Sequence, residues 1–133
     1  MDKLNITRVI PASKSDGKVS VFEEVVGPKQ GPPRHRHRNQ LEIFHVISGR
    51  IRFQIEDQTT DVAAGGTAII PPGKSHAFVN LSDDEAVIHF ELLPSGTSEV
   101  FFEKLTTGDI DDPAKLFGDH DLDLLGPPME PPS

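Results

Sequence analysis

The sequence predicts an all-β fold, an antiparallel sandwich or small barrel, on three observations. Turn-forming residues are frequent, with 11 glycines and 12 prolines in a chain of 133 residues. Apolar and polar residues alternate at 51–56, which is the period of a strand with one buried face. Six or more such segments recur at a spacing of roughly ten residues, a rhythm typical of sandwiches and barrels.

The predicted strands follow one another with few residues between them. They are expected at residues 19–26, 42–49, 51–56, 67–70, 77–81 and 86–93. A hairpin turn is predicted at 57–60. The segment 27–33, rich in glycine and proline, cannot be helical, and the adjoining His35–His37 stretch is expected to be extended.

Only the end of the chain has helical character. Apolar residues at helical spacing follow Thr97 or Ser98 as N-cap, and Asp112 with Pro113 offers a second cap. Residues 126–133 are expected to be extended. We therefore expect a β-barrel at 1–96, with short helical segments and a proline-rich tail at 97–133 packed on it.

Composition excludes several functions. The chain has no cysteine, so disulfides, thiolate metal sites and a cysteine nucleophile are absent. The net charge of −8 disfavours a nucleic-acid partner. No apolar run is long enough to span a bilayer and the amino terminus lacks a signal-peptide pattern, so we expect a cytoplasmic protein with no membrane partner.

Four residues predict a metal site. His35 and His37 share one face of an extended chain, Glu42 follows closely, and His76 comes from another strand after a proline–glycine turn. Three neutral nitrogens and one carboxylate suit one divalent transition ion, such as iron, manganese, nickel, cobalt, copper or zinc. Calcium and magnesium fit poorly, because they prefer oxygen ligands.

The same residues resemble the cupin superfamily. Most of its first motif lies at about 31–49 and contains His35, His37, Glu42 and Gly49. Its second motif, at about 65–80, is complete, with Gly65, Pro71, Gly73, His76 and Asn80 in register. One residue departs from the pattern: Gly31 stands four positions before His35, where the family usually has a glycine six positions before.

The resemblance implies a double-stranded β-helix, or jelly-roll barrel, with short C-terminal helices. It also implies that His35, His37, Glu42 and His76 are metal ligands, that a small molecule is substrate or ligand, and that the chain forms a homodimer. The C-terminal segment is similar to single-domain, type-2 cupins described as quercetin dioxygenase-like. That similarity implies metal-dependent cleavage of an enolisable or phenolic substrate by dioxygen.

Alternatives remain open at this point. A non-redox isomerase, cyclase or lyase would use the ion as a Lewis acid, and a non-catalytic barrel would only bind a ligand. In the oxygenase reading Glu42 also acts as general base, which needs a raised carboxyl pKa. Arg34 to Arg38 alone would be a solvated basic loop, and Glu42 alone a surface acid.

The other polar candidates are interpreted as structural. His45 has the opposite parity to Glu42 and is expected to point away from the site. His89 lies in a strand that is apolar on both faces, so it is either a hydrogen-bonded core residue or a pocket residue. His120 is expected to be solvated and Asn80 to stabilise a turn. Core positions are expected at Phe44, Val46, Phe53, Phe78 and Phe90.

Overall fold

The computed structural model describes residues 4–108 and 110–132, and within these ranges it contains ten strands and two α-helices. The strands are β1 (Asn5–Ile10), β2 (Ser20–Val26), β3 (Pro33–His37), β4 (Leu41–Ser48), β5 (Arg50–Ile55), β6 (Gln58–Ala63), β7 (Thr67–Ile70), β8 (His76–Asn80), β9 (Ala86–Leu93) and β10 (Leu122–Pro128). The helices are α1 (Ser98–Thr107) and α2 (Pro113–Asp119).

The strands form two five-stranded antiparallel sheets. The first has the order β1-β2-β9-β4-β7, and the second has the order β10-β3-β8-β5-β6. Their inward faces share one apolar core, so the fold is a jelly-roll barrel and the predicted all-β class is confirmed.

The side chains of each strand alternate between the core and the surface. Phe44 and Val46 on β4 are buried, whereas Ile47 on the same strand is about half exposed. The five predicted core residues are all buried. Phenylalanine rings replace the missing tyrosine and tryptophan, and Phe44 lies 5.1 Å from Phe53 and 5.5 Å from Phe78 between ring centres.

Gly31 permits a close approach of two segments just before β3. A Cβ atom at this position would lie 1.8 Å from the carbonyl oxygen of Phe78 on β8. Next to it, the amide of Asn80 donates to the carbonyl of Gln30 at 2.9 Å. The chain therefore enters β3 pressed against β8, and only glycine fits there.

Three strands were not predicted from the sequence: β1, β6 and the C-terminal β10. The hairpin expected after β5 is present, but its turn is at 56–57 and not at 57–60, because Ile55 pairs with Gln58 and residues 58–60 already belong to β6. In β6 only Val62 is buried, so its sequence lacks an alternating signal. β1 is a sheet edge with no fully buried residue, and it gives no signal for the same reason.

The C-terminal segment corrects a further expectation. Both helices begin as predicted, α1 after Thr97 and α2 after Asp112, whose side chain accepts a hydrogen bond from the amide of Lys115. Residues 122–128, however, are not a tail lying on the barrel, because they form β10 and extend the second sheet beside β3. Prolines are tolerated there since β10 is an edge strand.

Among the residues that the structure describes, no helix has the length and apolar character needed to cross a membrane.

Candidate metal centre

The four predicted ligands meet at one point inside the barrel. His35, His37, Glu42 and His76 each offer one ligand atom, and these atoms all lie within 4.8 Å of one another. Oε1 of Glu42 is 3.0 Å from Nε2 of His76 and 3.2 Å from Nε2 of His37. His37, Glu42 and His76 are each at most 3% exposed.

Three strands carry these ligands. His35 and His37 project from one face of β3, Glu42 projects inward from β4, and His76 is the first residue of β8. The turn before β8 needs Gly73, whose φ is 81°, and the Gly73 amide donates to the His37 carbonyl at 2.7 Å. The same turn therefore fixes His76 and the backbone of His37.

The strand that carries two ligands is attached mainly on one side. β3 pairs with β8 at a single residue pair, His35 with His76. Five residue pairs join β3 to β10, among them His37 with Leu122 and His35 with Leu124. The position of both histidines consequently depends on the C-terminal strand.

Each histidine presents its Nε2 atom to the centre. Nδ1 of His35 donates to the carbonyl of Pro33 at 2.7 Å, and Nδ1 of His76 donates to the carbonyl of Lys74 at 3.1 Å. Nδ1 of His37 donates to Oε1 of Gln40 at 3.2 Å. With the proton held at Nδ1, the Nε2 lone pairs are available to a metal ion.

The residues fit a divalent transition ion. Nε2 of His37 is buried and has no hydrogen-bond partner within the described part of the chain. A buried nitrogen left in this state is costly unless something binds it. Three imidazole nitrogens and one carboxylate oxygen are a donor set for iron, manganese, nickel, cobalt, copper or zinc.

Electrostatics keep His35 neutral and Glu42 ionised, the protonation states in which each can bind a metal ion. Burial, and then repulsion from His76 and His37, lowers the pKa of His35 to about 3, so its ring is neutral at physiological pH. Burial would raise the pKa of Glu42, but the attraction of His37 and His76, whose Nε2 atoms lie 3.2 and 3.0 Å from Oε1, outweighs it and holds this pKa below its ordinary value. The raised pKa required for Glu42 to act as general base is therefore not found.

Gln40 is a functional residue that the sequence reasoning missed. Its side chain is almost fully buried between β3 and the start of α1. Its amide nitrogen donates to the carbonyls of Pro94 and Ser95 and to Oγ of Ser98, which turns its oxygen toward His37. No local pattern reveals this role, because its partners lie more than fifty residues away along the chain.

A cavity of about 590 Å³ opens beside the ligands His35 and Glu42. Its walls contain six of the eight phenylalanines: Phe44, Phe78, Phe90, Phe101, Phe102 and Phe117. A volume of this size is in the range of small-molecule sites. The inward carboxyl of Glu24 on β2 also lines it, and this residue was missed although it shares parity with Phe22 and Val26.

The remaining histidines lie outside the centre. His45 faces outward and pairs with Glu91, as its parity predicted. His89 is hydrogen-bonded to Glu23 at 2.9 Å on the outer face, so it is neither a core nor a pocket residue. His120 is partly buried rather than fully solvated, beside Phe101 and hydrogen-bonded to Thr97. Asn80 stabilises its turn as expected, with its amide nitrogen donating to the carbonyls of Val26, Gly27 and Asp84.

The structure is a jelly-roll barrel with an internal cluster of three histidines and one glutamate that could hold a metal ion. The family model described as a cupin domain matches residues 22–92. The chain therefore belongs to the cupin family, and the expected double-stranded β-helix is confirmed.

Individual proteins are similar over parts of the chain. Oxidoreductase OpS7 of Beauveria bassiana is 41% identical over 54 residues, which is 40% of this chain and 18% of that protein. Polyketide synthase CurC of Streptomyces cyaneus is 29% identical over 70 residues, 53% of this chain and 46% of that protein. The chain thus spans less than half the length of these curated relatives.

Among solved structures, an uncharacterized protein with a double-stranded β-helix domain from Klebsiella pneumoniae superposes with a TM-score of 0.62. It is 21% identical, and the match covers 70% of this chain and 78% of that chain. At this identity the likeness concerns the fold.

Proposed function

We propose that this cupin is a divalent-metal-dependent dioxygenase that acts on a small enolisable or phenolic substrate. One observation carries the proposal: the cluster of three histidines and Glu42 meets, through His35 and Glu42, a cavity walled by phenylalanines. The residues that bind an ion and the space that accepts an apolar ring are thus parts of one site. The similarity to a protein named as an oxidoreductase supports the redox reading.

The chain's own residues have distinct roles in this proposal. His35, His37 and His76 hold an ion through Nε2 and keep a proton at Nδ1. Glu42 stays ionised and serves as the fourth ligand, and its base role becomes the less favoured hypothesis because of its lowered pKa. When bound, a transition ion supplies Lewis acidity toward a substrate oxygen and redox access to dioxygen.

The phenylalanine walls exclude water and orient a flat substrate. Phe44 and Phe90 come from the first sheet, Phe78 from the second, and Phe101 and Phe117 from the two helices. A ring bound between them loses its water shell and offers only its polar edge to the ligands. Helices α1 and α2 therefore close one side of the substrate space.

Oxygen uptake tests the proposal directly. Protein is loaded with iron(II), manganese(II) or nickel(II) without oxygen and then mixed with a flavonol, such as kaempferol, in aerated buffer. We expect one dioxygen to be consumed per flavonol lost, and no uptake by the His76→Ala variant. Uptake no faster than with the free metal, for all three ions, would refute the proposal.

Other outcomes identify the alternative functions. Turnover that survives replacement by zinc and exclusion of oxygen would indicate Lewis-acid catalysis, as in an isomerase, cyclase or lyase. An unaltered small molecule recovered from purified protein would indicate a ligand-binding barrel.

Two further features stay predictions. We propose that the chain is a cytoplasmic homodimer. The exposed side chains of Ile47 and Ile69 on the outer face of the first sheet are consistent with a contact between copies. Light scattering during gel filtration of wild type and Ile69→Lys tests the dimer, which the substitution is expected to dissociate.

A further inference from the structure

Glu24 is a second acidic group inside the barrel, separate from the metal ligands. It lies on β2 with the parity of the buried Phe22 and Val26, so its side chain points inward. It lines the same cavity as His35 and Glu42, but it is not part of the group of four ligand atoms. Its neighbour Glu23 faces outward and pairs with His89.

The Glu24 carboxyl is unpaired within the part of the chain that the structure describes. No hydrogen bond or ion pair joins it to any residue within 4–108 or 110–132, whereas Oε1 of Glu42 in the same cavity lies 3.0 Å from Nε2 of His76. A carboxyl in an apolar wall is costly to retain without a partner. Its free oxygens face the cavity, so a bound molecule is the partner that could satisfy them.

The protonation state of Glu24 suits a neutral partner. Burial, and secondarily the negative charge of Glu42, raises the pKa of Glu24 to about 8. In the metal-free protein near neutral pH the group is thus largely a carboxylic acid, with one hydrogen-bond donor and one acceptor.

The rest of the cavity indicates what kind of molecule this is. No lysine or arginine lines it in the described part of the chain, and its other acids are Glu42 and Glu85. A small anionic substrate such as a dicarboxylate would find no counter-charge apart from the metal. The phenylalanine walls and the volume of about 590 Å³ suit an uncharged aromatic molecule of two or three rings.

We propose that Glu24 is a specificity residue that binds a hydroxyl group on the body of a neutral aromatic substrate, at a point apart from the metal ligands. The inference rests on the proposed function, because it assumes that a different polar group of the same substrate binds at the metal centre. The contact with Glu24 is a second polar contact to the substrate, and it restricts the substrate to hydroxylated aromatic compounds.

Binding to the zinc-loaded protein tests this inference without turnover. The probes are galangin and kaempferol, flavonols that share their chelating edge and differ by one hydroxyl on the far ring. Wild type, Glu24→Leu and Glu24→Gln are titrated with each, and Glu23→Leu is the matched control on the opposite face. Zinc content and melting temperature verify that every variant is folded and loaded.

We expect wild type to bind kaempferol about fivefold more tightly than galangin, the worth of one hydrogen bond. Glu24→Leu should bind both probes equally, while Glu24→Gln, which mimics the neutral acid, and Glu23→Leu should keep the preference. The same preference in Glu24→Leu as in wild type overturns the inference, and so does the absence of any preference, or of binding, in wild type. Failure of the proposed function differs from these results, since it appears as absent oxygen uptake whatever the binding ratios.

Discussion

Nδ1 of His37 donates a hydrogen bond to Oε1 of Gln40 over 3.2 Å, and the nitrogen of the same amide lies 2.8 Å from Oγ of Ser98. One buried side chain therefore connects a metal ligand to the first turn of α1. This amide therefore holds helix α1, which lines part of the cavity, in a fixed position relative to His37 of the metal cluster.

Replacing Gln40 should weaken metal binding without removing a ligand. In Gln40→Leu, Nδ1 of His37 loses its acceptor, so the ring can rotate or take the other tautomer. We expect metal affinity to fall about 10- to 100-fold, the usual effect of losing such an outer partner. Competition with a chelating dye measures it. Gln54→Leu, on the outer face of β5, is the control, and equal affinities in the two variants would contradict this role.

Removing one ligand should empty the site, whereas removing an outward histidine should not. His76→Ala deletes a nitrogen at the centre, and we expect most bound metal to be lost together with the thermal stabilisation that it confers. His45→Ala removes only the surface pair with Glu91 and should retain full metal content. Elemental analysis after dialysis distinguishes the variants, and loss of metal from both would show that the ligand assignment is wrong.

Glu24 should make the metal-free protein less stable as pH rises. Its pKa is raised from 4.5 to about 8 in the fold, so between these values the native state holds a proton that the unfolded chain has released. The free energy of unfolding that Glu24 contributes is therefore highest below pH 4.5 and declines toward pH 8. Relative to wild type, Glu24→Gln should gain stability progressively over this range.

Urea unfolding at several pH values provides the measurement for Glu24. The metal-free form is required because a bound cation would itself lower the carboxyl pKa. Glu23→Gln, on the solvent side of β2, should not reproduce the progressive gain. Parallel pH curves for wild type and Glu24→Gln would mean that the carboxyl is ordinarily solvated.

Two glycine-to-alanine substitutions should act in opposite directions. At Gly31 the new methyl group would overlap the carbonyl oxygen of Phe78, and we expect a loss of about 3 kcal/mol in the free energy of unfolding. At Gly118 in α2 nothing lies within 4 Å of the added carbon, so stability should be unchanged or rise by up to about 1 kcal/mol. Thermal melts of the two variants compare them, and a harmless Gly31→Ala would refute the close approach.

Local sequence signals predict the parts of this molecule that have one buried face. β4 and β5 alternate clearly because one side of each strand packs in the core, and both helices begin at residues with recognisable capping chemistry. β1, β6 and β10 lie at sheet edges, where few side chains are buried, and their place in the sheets depends on backbone pairing with distant strands. Such pairing leaves little trace in a local pattern.

The residues of the candidate site also fall into those that the sequence predicts and those that it does not. The spacing of the two motifs identifies His35, His37, Glu42 and His76. Residues of such motifs lie together in the fold even when they are far apart along the chain. Gln40 and Glu24 belong to no motif, and their importance comes from what surrounds them in space. The raised carboxyl pKa that general-base action by Glu42 requires is found at Glu24 instead, because two histidines lie beside Glu42, whereas burial and the negative charge of Glu42 act on Glu24.

The pairing of β3 with β10 has a consequence for when the centre can form. The strand that carries His35 and His37 has one residue pair with β8 and five with β10. It is therefore fully paired in the sheet only after Leu122–Pro128 have packed beside it. Contacts between segments so distant along a chain form late in folding. During synthesis all four residues would leave the ribosome well before Leu122–Pro128, so we expect the complete metal centre to form only after this strand has emerged.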